Sequence, residues 1–208
     1  MIVEIYGTKV EIIEHPTSID GLLFSPEFKD FDNDADWLEF TRPASREVSA
    51  ANFNAVASIE INGPAVEIGV SRNGNGSFTE AILRNKSQKF PYLGIDIDNK
   101  SYLDSAASNV HTLQCRSTDR HKVISKMELL GIRSLFLLLI DGWHSMNGVL
   151  NDWAYSELVC SGGYVVLHDT NGHPPAVFIH AIDRNKYEVV QLFQGEDDYG
   201  LTICRKKS

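Results

Sequence analysis

The chain has 208 residues, of which 43% are hydrophobic and 23% charged, and its formal net charge is −9. These values are ordinary for a single globular domain that is long enough to bury a full core. The acidic balance and the lack of a basic face argue against a partner that presents nucleic-acid phosphates. The longest apolar run is also far shorter than the roughly 18 residues needed to span a membrane.

Cysteine usage and the N-terminal residues indicate a cellular compartment. Cys115, Cys160 and Cys204 are widely spaced and odd in number, and no C-x-x-C spacing suggests a metal site. Reduced thiols are therefore expected. The first residues lack the basic region and apolar core of a signal peptide. We predict a cytoplasmic protein that has no membrane partner.

The N-terminal part of the chain gives the weakest pattern. Alternating residues within 1–13 predict a short hairpin, whereas residues 15–43 are rich in Pro, Asp and Phe and are expected to be irregular. Apolar positions within 45–59 predict a helix. We treat residues 1–60 as a cap region and residues 61–208 as the main part of one structural domain.

Residues 65–82 predict a strand, a glycine-rich loop and a helix in succession. Ser77 and Glu80 form a capping box that marks the start of the helix. This arrangement lets a nucleotide-like ligand approach backbone N–H groups closely. Asp96 ends the next predicted strand, twenty residues after Gly76, which is the usual distance for a carboxylate that binds ribose hydroxyls.

Further strands and helices alternate along the chain. The predicted elements are a strand at 92–98, a helix marked by Leu103, Ala106 and Ala107, a strand at 110–114, and a helix with Val123, Met127 and Leu130 inward that Gly131 ends. Pro174 and Pro175 are predicted to begin a later helix. Residues 187–194 and 200–205 are predicted to pair antiparallel, because the connection between them is short.

The pattern of residues 135–171 predicts a strand followed by an acidic residue, then a helix and a turn, and then a second strand followed by an acidic residue. Two unalternating apolar runs, 135–140 and 164–167, are typical of strands buried on both faces of a parallel sheet. Between them, Met146, Leu150, Trp153 and Ala154 have the spacing of one helix face, and Gly162 with Gly163 is expected to end that helix.

Polar residues follow both apolar runs. Asp141 and His144 follow the first run, and His168 and Asp169 follow the second. Two parallel strands joined by a helix end at the same edge of the sheet. We therefore expect these four side chains to gather at the edge where ligands bind in open α/β sheets.

The glycine loop alone does not distinguish a dinucleotide from S-adenosylmethionine (SAM). Three features favour SAM. Glu67 lies inside the strand before Gly69, where hydride-transferring enzymes usually carry an apolar residue. The glycine spacing is not G-x-G-x-x-G, and the sheet is expected to end in an antiparallel pair after the fifth parallel strand.

With these residues in place, the chain resembles the class I SAM-dependent methyltransferases, and most of all the metal-dependent sugar and macrolide O-methyltransferases with their cephalosporin-hydroxylase-like relatives. The resemblance covers residues 65–206 and is most specific in 141–145, Asp152 and 162–169. It implies an α/β fold: a Rossmann-like, doubly wound, mostly parallel seven-stranded sheet with an antiparallel last strand and helices on both faces.

The resemblance also implies an activity and its partners. Residues 61–208 would bind SAM and transfer its methyl group to a hydroxyl of a small molecule, such as a sugar or a natural product. A homo-oligomer is left open. The implied cofactor-binding residues are Glu67, Gly69, Ser71, Gly74, Gly76, Ser77, Asp96, Asp98, Arg116, Ser117 and Asp141.

A divalent cation, Mg²⁺ or Mn²⁺, is expected at Asp141, His168 and Asp169. The family's acid pair at this strand end is often Glu-Asp, whereas this chain has His168 before Asp169. Imidazole suits a transition metal better than magnesium. His144 is the expected general base, because an unperturbed imidazole has a pKa of about 6.5.

Simpler roles stay open for these residues. His144 could bond only to a nearby carboxylate, Asp141 could cap the following turn or touch SAM without a metal, and Asn171 could be a turn residue or a third oxygen ligand. Two other functions also stay open: a SAM-fold protein that binds ligand without catalysis, and a nicotinamide-dependent oxidoreductase. Binding of SAM against NAD and a methyl-transfer assay distinguish them.

Overall fold

The computed structural model describes residues 2–5, 8–11, 50–70, 77–171, 174–192 and 199–208. The strands in these ranges are β1 (Ile2–Ile5), β2 (Thr8–Glu11), β3 (Ala65–Ile68), β4 (Tyr92–Asp96), β5 (Val110–Gln114), β6 (Leu135–Ile140), β7 (Val159–His168), β8 (Tyr187–Leu192) and β9 (Leu201–Lys206). The α-helices are α1 (Ala50–Ala57), α2 (Phe78–Asn85), α3 (Arg120–Leu129), α4 (Met146–Trp153) and α5 (Pro174–Phe178). Single 3₁₀ turns cover Ser101–Leu103, Ala154–Leu158 and Ile179–Ala181.

Seven strands form one sheet in the order β5-β4-β3-β6-β7-β9-β8. β3 to β7 pair in parallel, and β9 is antiparallel to both β7 and β8. β1 and β2 form a separate antiparallel pair, which confirms the predicted hairpin. The chain builds outward from β3 to β5 and then returns to the other side of β3 with β6. The strand order therefore reverses between β3 and β6, and in such folds ligands bind at that point.

Helices cover both faces of the sheet, because the central strands bury side chains on both sides. Alternate residues such as Val66 and Leu138 pack with Val123 of α3 and Val149 of α4. The neighbouring residues of the same strands, such as Leu137, pack with α1 and α2. The predicted fold class, a mostly parallel Rossmann-like sheet with helices on both faces, is confirmed.

The helix predicted around Leu103 is wrong. Only Ser101–Leu103 forms a 3₁₀ turn. The backbones of Ser105 and Val110 exchange two hydrogen bonds of 2.9 Å, so the chain turns back directly into β5. Ala106 and Ala107 lie in that turn, and no length of chain remains for a helix.

Two details of the central stretch also differ from the prediction. α4 ends at Trp153, and β7 already begins at Val159, so the two glycines lie inside β7 and not at a helix end. Gly162 has a φ of +78°, in the region where the β6–β7 register shifts. The helix face is rotated as well: Leu150 is 50% exposed, whereas Val149 is buried.

The remaining boundaries agree closely with the sequence patterns. α1 lies within the predicted helix, β4 ends at Asp96, two residues before the predicted end of that strand, and α5 begins at Pro174. The expectations for residues 15–43, 45–49 and 71–76 fall outside the described residues. Within the described part of the chain, no helix combines the length and the apolar character that crossing a membrane requires.

Candidate active site

The glycine turn after β3 and the acid after β6 lie in direct contact at the switch point. Asp141 donates its backbone N–H to the carbonyl of Ile68 at 2.8 Å, and Gly69 donates to Ile95 at 2.9 Å. Gly69 has a φ of +84°, and a Cβ there would lie 1.9 Å from the Asp141 carbonyl oxygen. Only glycine permits this approach. The start of the predicted cofactor loop is thereby fixed beside Asp141.

Four polar side chains meet at this edge, as predicted. His168 Nδ1 lies 2.8 Å from Asp141 Oδ1 and 3.5 Å from Asp169 Oδ2. His144 Nδ1 lies 2.8 Å from Asp169 Oδ2, and its Nε2 lies 3.5 Å from Asp141 Oδ1. Both imidazoles thus face the same two carboxylates.

Local backbone structure positions His144 and Asp169. Ser145 is the N-cap of α4, and its Oγ accepts from Gly148 N at 2.9 Å, so the helix begins directly after His144. Asp169 has a φ of +54°, which is uncommon for a residue other than glycine. Such a conformation is frequent where the surrounding structure holds a functional side chain.

The electrostatics of the cluster favour charged imidazoles. Burial lowers the pKa of His144, but the carboxylates of Asp169 and Asp141 outweigh this and raise it to about 10. The same balance raises the pKa of His168 to about 9. Burial would raise the pKa of Asp141, but His168 and His144 hold it below its usual range. The cluster therefore holds protons on its nitrogens at neutral pH.

Donor atoms of Asp141, His144 and Asp169 lie within 4.8 Å of one another and could hold a metal ion. His168 is a further nitrogen donor to the same carboxylates, and its ring packs edge-on against Phe78 with centroids 4.9 Å apart. Its buried Nε2 has no hydrogen-bond partner among the described residues. Oxygen and nitrogen donors thus converge on one small volume.

Glu67 is fully enclosed between β3, β4 and α2. Its Oε1 accepts from the hydroxyl of Thr79 at 2.8 Å, and its Oε2 accepts from the hydroxyl of Tyr92. Burial is the main cause that raises its pKa to about 8. These bonds tie β3 to β4 and to the helix that follows the loop. Glu67 therefore connects the described end of β3 with β4 and with the first turn of α2.

Asp96 accepts backbone hydrogen bonds from both sides of the end of β4. Its Oδ2 accepts from Val70 N at 2.8 Å, and its Oδ1 accepts from Asp98 N at 2.7 Å. Lys100, which is buried, has its Nζ 3.8 Å from Asp96 Oδ2. The carboxylate is thus set at the end of β4, where the predicted ribose-binding acid should lie. Asp98 itself is exposed.

The other predicted cofactor-binding residues lie in three places. Ser77 is the N-cap of α2, where its Oγ accepts from Glu80 N at 3.2 Å, which confirms the predicted cap. Ser117 is half-buried after β5, and its carbonyl accepts from the Tyr155 hydroxyl at 2.6 Å. Arg116 is exposed. Ser71, Gly74 and Gly76 lie outside the described residues.

Asp152 carries part of the family resemblance, but it was not among the predicted site residues. It is only 1% exposed, on the inner face of α4, and neither carboxyl oxygen has a hydrogen-bond partner of normal geometry among the described residues. Burial raises its pKa to about 7, although Ser117 and the charge of His144 lower it. An acid in place of an apolar residue on the buried face of a helix was the signal in the sequence.

The fold and the cluster at its switch point define a Rossmann-like α/β domain of the methyltransferase type. Residues 58–196 match the family described as Rhamnosyl O-methyltransferase/CmcI. This match covers well over half of the chain, and the chain therefore belongs to that family. The predicted resemblance is confirmed. No curated protein sequence matches the chain.

Solved structures agree on the fold. MycE methyltransferase from the mycinamycin biosynthetic pathway, solved with Mg, S-adenosylhomocysteine (SAH) and mycinamycin VI, is 16% identical over 91% of this chain, with a TM-score of 0.52. The chain spans only 53% of the length of MycE. An O-methyltransferase from Bacillus cereus in complex with SAH is 12% identical, and the match covers 94% of this chain and 93% of that one, with a TM-score of 0.54.

TomG, an O-methyltransferase from Streptomyces achromogenes involved in tomaymycin synthesis, was solved with SAM. It is 13% identical, the match covers 91% of this chain and 96% of TomG, and the TM-score is 0.54. At such low identity these likenesses show the fold. The fold is therefore one that other proteins use to bind SAM or its product.

Proposed function

We propose that this protein transfers a methyl group from SAM to a hydroxyl oxygen of a small molecule of the sugar or natural-product type. The observation that carries the proposal is the contact between Gly69 and Asp141 at the switch point. It supports the proposal because Gly69, where the segment that we assign to the cofactor begins, and the Asp/His cluster lie side by side on one sheet edge. Membership of an O-methyltransferase family supports the same reaction.

The chain's own residues account for cofactor binding. The turn at Gly69 and the N-cap of α2 are the described ends of the segment to which we assign the cofactor. Asp96 is held at the end of β4 by Val70 N and Asp98 N, so its position is fixed before a ligand binds. A carboxylate in this place suits the hydroxyls of a ribose.

The donors also fit a divalent cation. Asp141 and Asp169 provide two carboxylates, and His168 Nδ1 faces both. When bound, SAM supplies the methyl group, and a divalent cation supplies positive charge that lowers the pKa of a nearby hydroxyl. Asp141, His168 and Asp169 are the residues that we propose to hold the cation.

His144 is the proposed acceptor of the proton from the substrate hydroxyl. Its Nδ1 lies 2.8 Å from Asp169 Oδ2, and we assign the proton of the neutral ring to Nδ1, which leaves Nε2 to accept another. In the cation-free cluster the pKa of about 10 keeps Nε2 protonated. Positive charge near Asp141 and Asp169 would oppose this effect of the carboxylates.

Composition supports the choice of a small acceptor and the compartment. A net charge of −9 does not suit binding to phosphate backbones. All three cysteines are free thiols, as expected for a reducing cytoplasm. We keep residues 61–208 as the SAM-binding part and residues 1–60 as the cap.

The test is a methyl-transfer assay with SAM against a panel of hydroxylated sugars and macrolides, with and without a chelator. Mass spectrometry of the products should show one added methyl group. Calorimetry with SAH and NAD runs in parallel. SAH binding without any product would support the binding protein that lacks catalysis, and binding of NAD in place of SAH would support the oxidoreductase.

A further inference from the structure

Two separations between donor atoms of the cluster suit neighbouring ligands of one metal ion. His168 Nδ1 lies 2.8 Å from Asp141 Oδ1 and 3.5 Å from Asp169 Oδ2. Neighbouring ligands of an octahedral ion with bonds of about 2.1 Å lie roughly 3 Å apart. The two observed separations bracket that value.

His168 meets this requirement better than His144. His168 presents a single nitrogen to both carboxylates, whereas His144 directs Nδ1 to Asp169 and Nε2 to Asp141. One ion can bond only one nitrogen of a ring, so His144 cannot use both of its short distances together. His168 is also only 4% exposed and its ring packs against Phe78, which fixes its orientation.

We propose that Asp141, Asp169 and His168 form a mixed oxygen and nitrogen site that takes a first-row transition dication in preference to Mg²⁺. Mg²⁺ binds oxygen ligands and gives up water reluctantly, whereas imidazole nitrogen is a good ligand for transition ions. This inference specifies which class of ion the proposed metal site binds. It rests on the proposed function only for the location of that site.

The experiment measures metal binding by the whole chain without any methyl acceptor. Mn²⁺ is the probe because it is paramagnetic and is the weakest binder of its series, so a preference for Mn²⁺ over Mg²⁺ is a conservative result. Binding is followed by the Mn²⁺ EPR signal, and Mg²⁺ is added as competitor. Pulsed EPR of the bound Mn²⁺ reports whether nitrogen is coordinated.

We expect Mn²⁺ to bind at least about tenfold more tightly than Mg²⁺, with a nitrogen coupling in the pulsed spectrum. His168→Glu replaces the imidazole nitrogen by a carboxylate. This variant should lose the nitrogen coupling in the pulsed spectrum, and its affinities for Mn²⁺ and Mg²⁺ should differ less. His121→Gln, which changes an exposed histidine on α3, should alter neither. Circular dichroism and SAH calorimetry check that each variant is folded.

Three results would overturn the inference. They are equal affinities for Mn²⁺ and Mg²⁺, no nitrogen coupling in the unmodified protein, or a coupling that survives in folded His168→Glu. If His168→Glu does not fold, the Mg²⁺ competition and the pulsed EPR spectrum of the unmodified protein test the inference on their own. Methyl transfer with Mg²⁺ and no metal preference would keep the proposed function and reject this inference. Nitrogen-bound Mn²⁺ in a protein that methylates no acceptor would support this inference and reject the proposed function.

Discussion

The Nδ1 atom of His144 lies 2.8 Å from Oδ2 of Asp169, and both side chains are buried. A carboxylate in this position fixes the tautomer of an imidazole and stabilises its charged form. The pair therefore has the arrangement of a base and the group that orients it. Asp141, which faces the other ring nitrogen of His144, contacts the glycine turn after β3.

Replacing His144 tests this role. His144→Ala should lower turnover by roughly 10²–10⁴-fold, the usual contribution of a positioned general base, and leave SAH affinity nearly unchanged. Steady-state kinetics with an acceptor from the panel and calorimetry with SAH measure the two effects. His121→Ala, on an exposed surface, serves as the control. Full turnover by folded His144→Ala would assign the proton to another group.

The cation-free cluster should make stability depend on pH. The pKa values of His144 and His168 are about 10 and 9 in the folded protein, against 6.5 for a free imidazole. Because the folded values are raised, the stabilisation is complete below about pH 6.5 and is lost as pH rises through 9 to 10. Urea unfolding in EDTA at several pH values measures the effect.

A double variant isolates this contribution. His144→Gln with His168→Gln should be less stable than the unmodified protein near pH 6, and the difference should shrink towards pH 10. The comparison matters because buried Glu67 also has a raised pKa and gives the same sign. A difference that is constant over this range would show that the imidazoles do not carry the charge in the folded protein.

The cluster could be predicted from the sequence because its position follows from the order of strands and helices along the chain. Two apolar runs joined by a helix imply parallel strands whose ends meet, so the meeting of Asp141 and Asp169 followed from the chain order. The orientation of His168 could not be predicted, since it depends on packing against Phe78, which is distant in the sequence. The capped helix after the loop followed from Ser77 and Glu80, because a cap is a local contact.

Predictions that depended on tertiary context were the ones that failed. The apolar spacing on α4 placed Leu150 inward, but the helix buries Asp152 and exposes half of Leu150. The helix expected after Asp98 is replaced by a turn that the Ser105–Val110 pairing closes. Both outcomes depend on neighbouring strands, and propensity alone does not describe them.

Two glycines provide a matched test of the contact at the switch point. Gly69 and Gly131 both have positive φ, of +84° and +70°. A Cβ on Gly69 would overlap the Asp141 carbonyl, whereas a Cβ on Gly131 would meet nothing within 4 Å. Gly131→Ala should cost about 1–2 kcal/mol from its backbone conformation alone. Gly69→Ala should cost clearly more and also weaken SAH binding.

Denaturant unfolding and SAH calorimetry of both variants measure these effects. Equal losses of stability would mean that the close approach of Gly69 to Asp141 does not exist in solution. A normal SAH affinity in folded Gly69→Ala would separate the turn from the cofactor site.

Asp96 should contribute directly to cofactor affinity. Asp96→Asn keeps the shape of the side chain and removes its charge, and it should weaken SAH binding by on the order of 1.5–3 kcal/mol for lost charge-assisted hydrogen bonds. Part of the loss comes from Val70 N, which donates to the same carboxylate. Glu128→Gln, on the exposed side of α3, is the control, and unchanged affinity in Asp96→Asn would reject the assignment.

Asp152 should destabilise the protein above acidic pH, because its carboxyl is buried and neither oxygen has a hydrogen bond of normal geometry among the described residues. Its pKa is about 7 in the folded protein against 3.8 in the unfolded chain. A raised value means that stability falls as pH rises from about 4 to about 7 and then levels off. Asp152→Asn lacks this loss, so it should become more stable than the unmodified protein by up to a few kcal/mol at pH 8, since one pKa unit corresponds to about 1.4 kcal/mol.

Asp152→Ala separates the charge from the packing. It also removes the carboxyl, so its stability relative to the unmodified protein should rise with pH in the same way as that of Asp152→Asn. Its overall level should be lower, because the smaller side chain leaves a cavity beside Gly142, where Asp152 Oδ2 would lie 3.3 Å from an added Cβ. Urea unfolding between pH 4 and 8 measures both variants. If the stability difference of Asp152→Asn does not change with pH, the carboxyl titrates alike in the folded and unfolded chains, and burial is not what controls it.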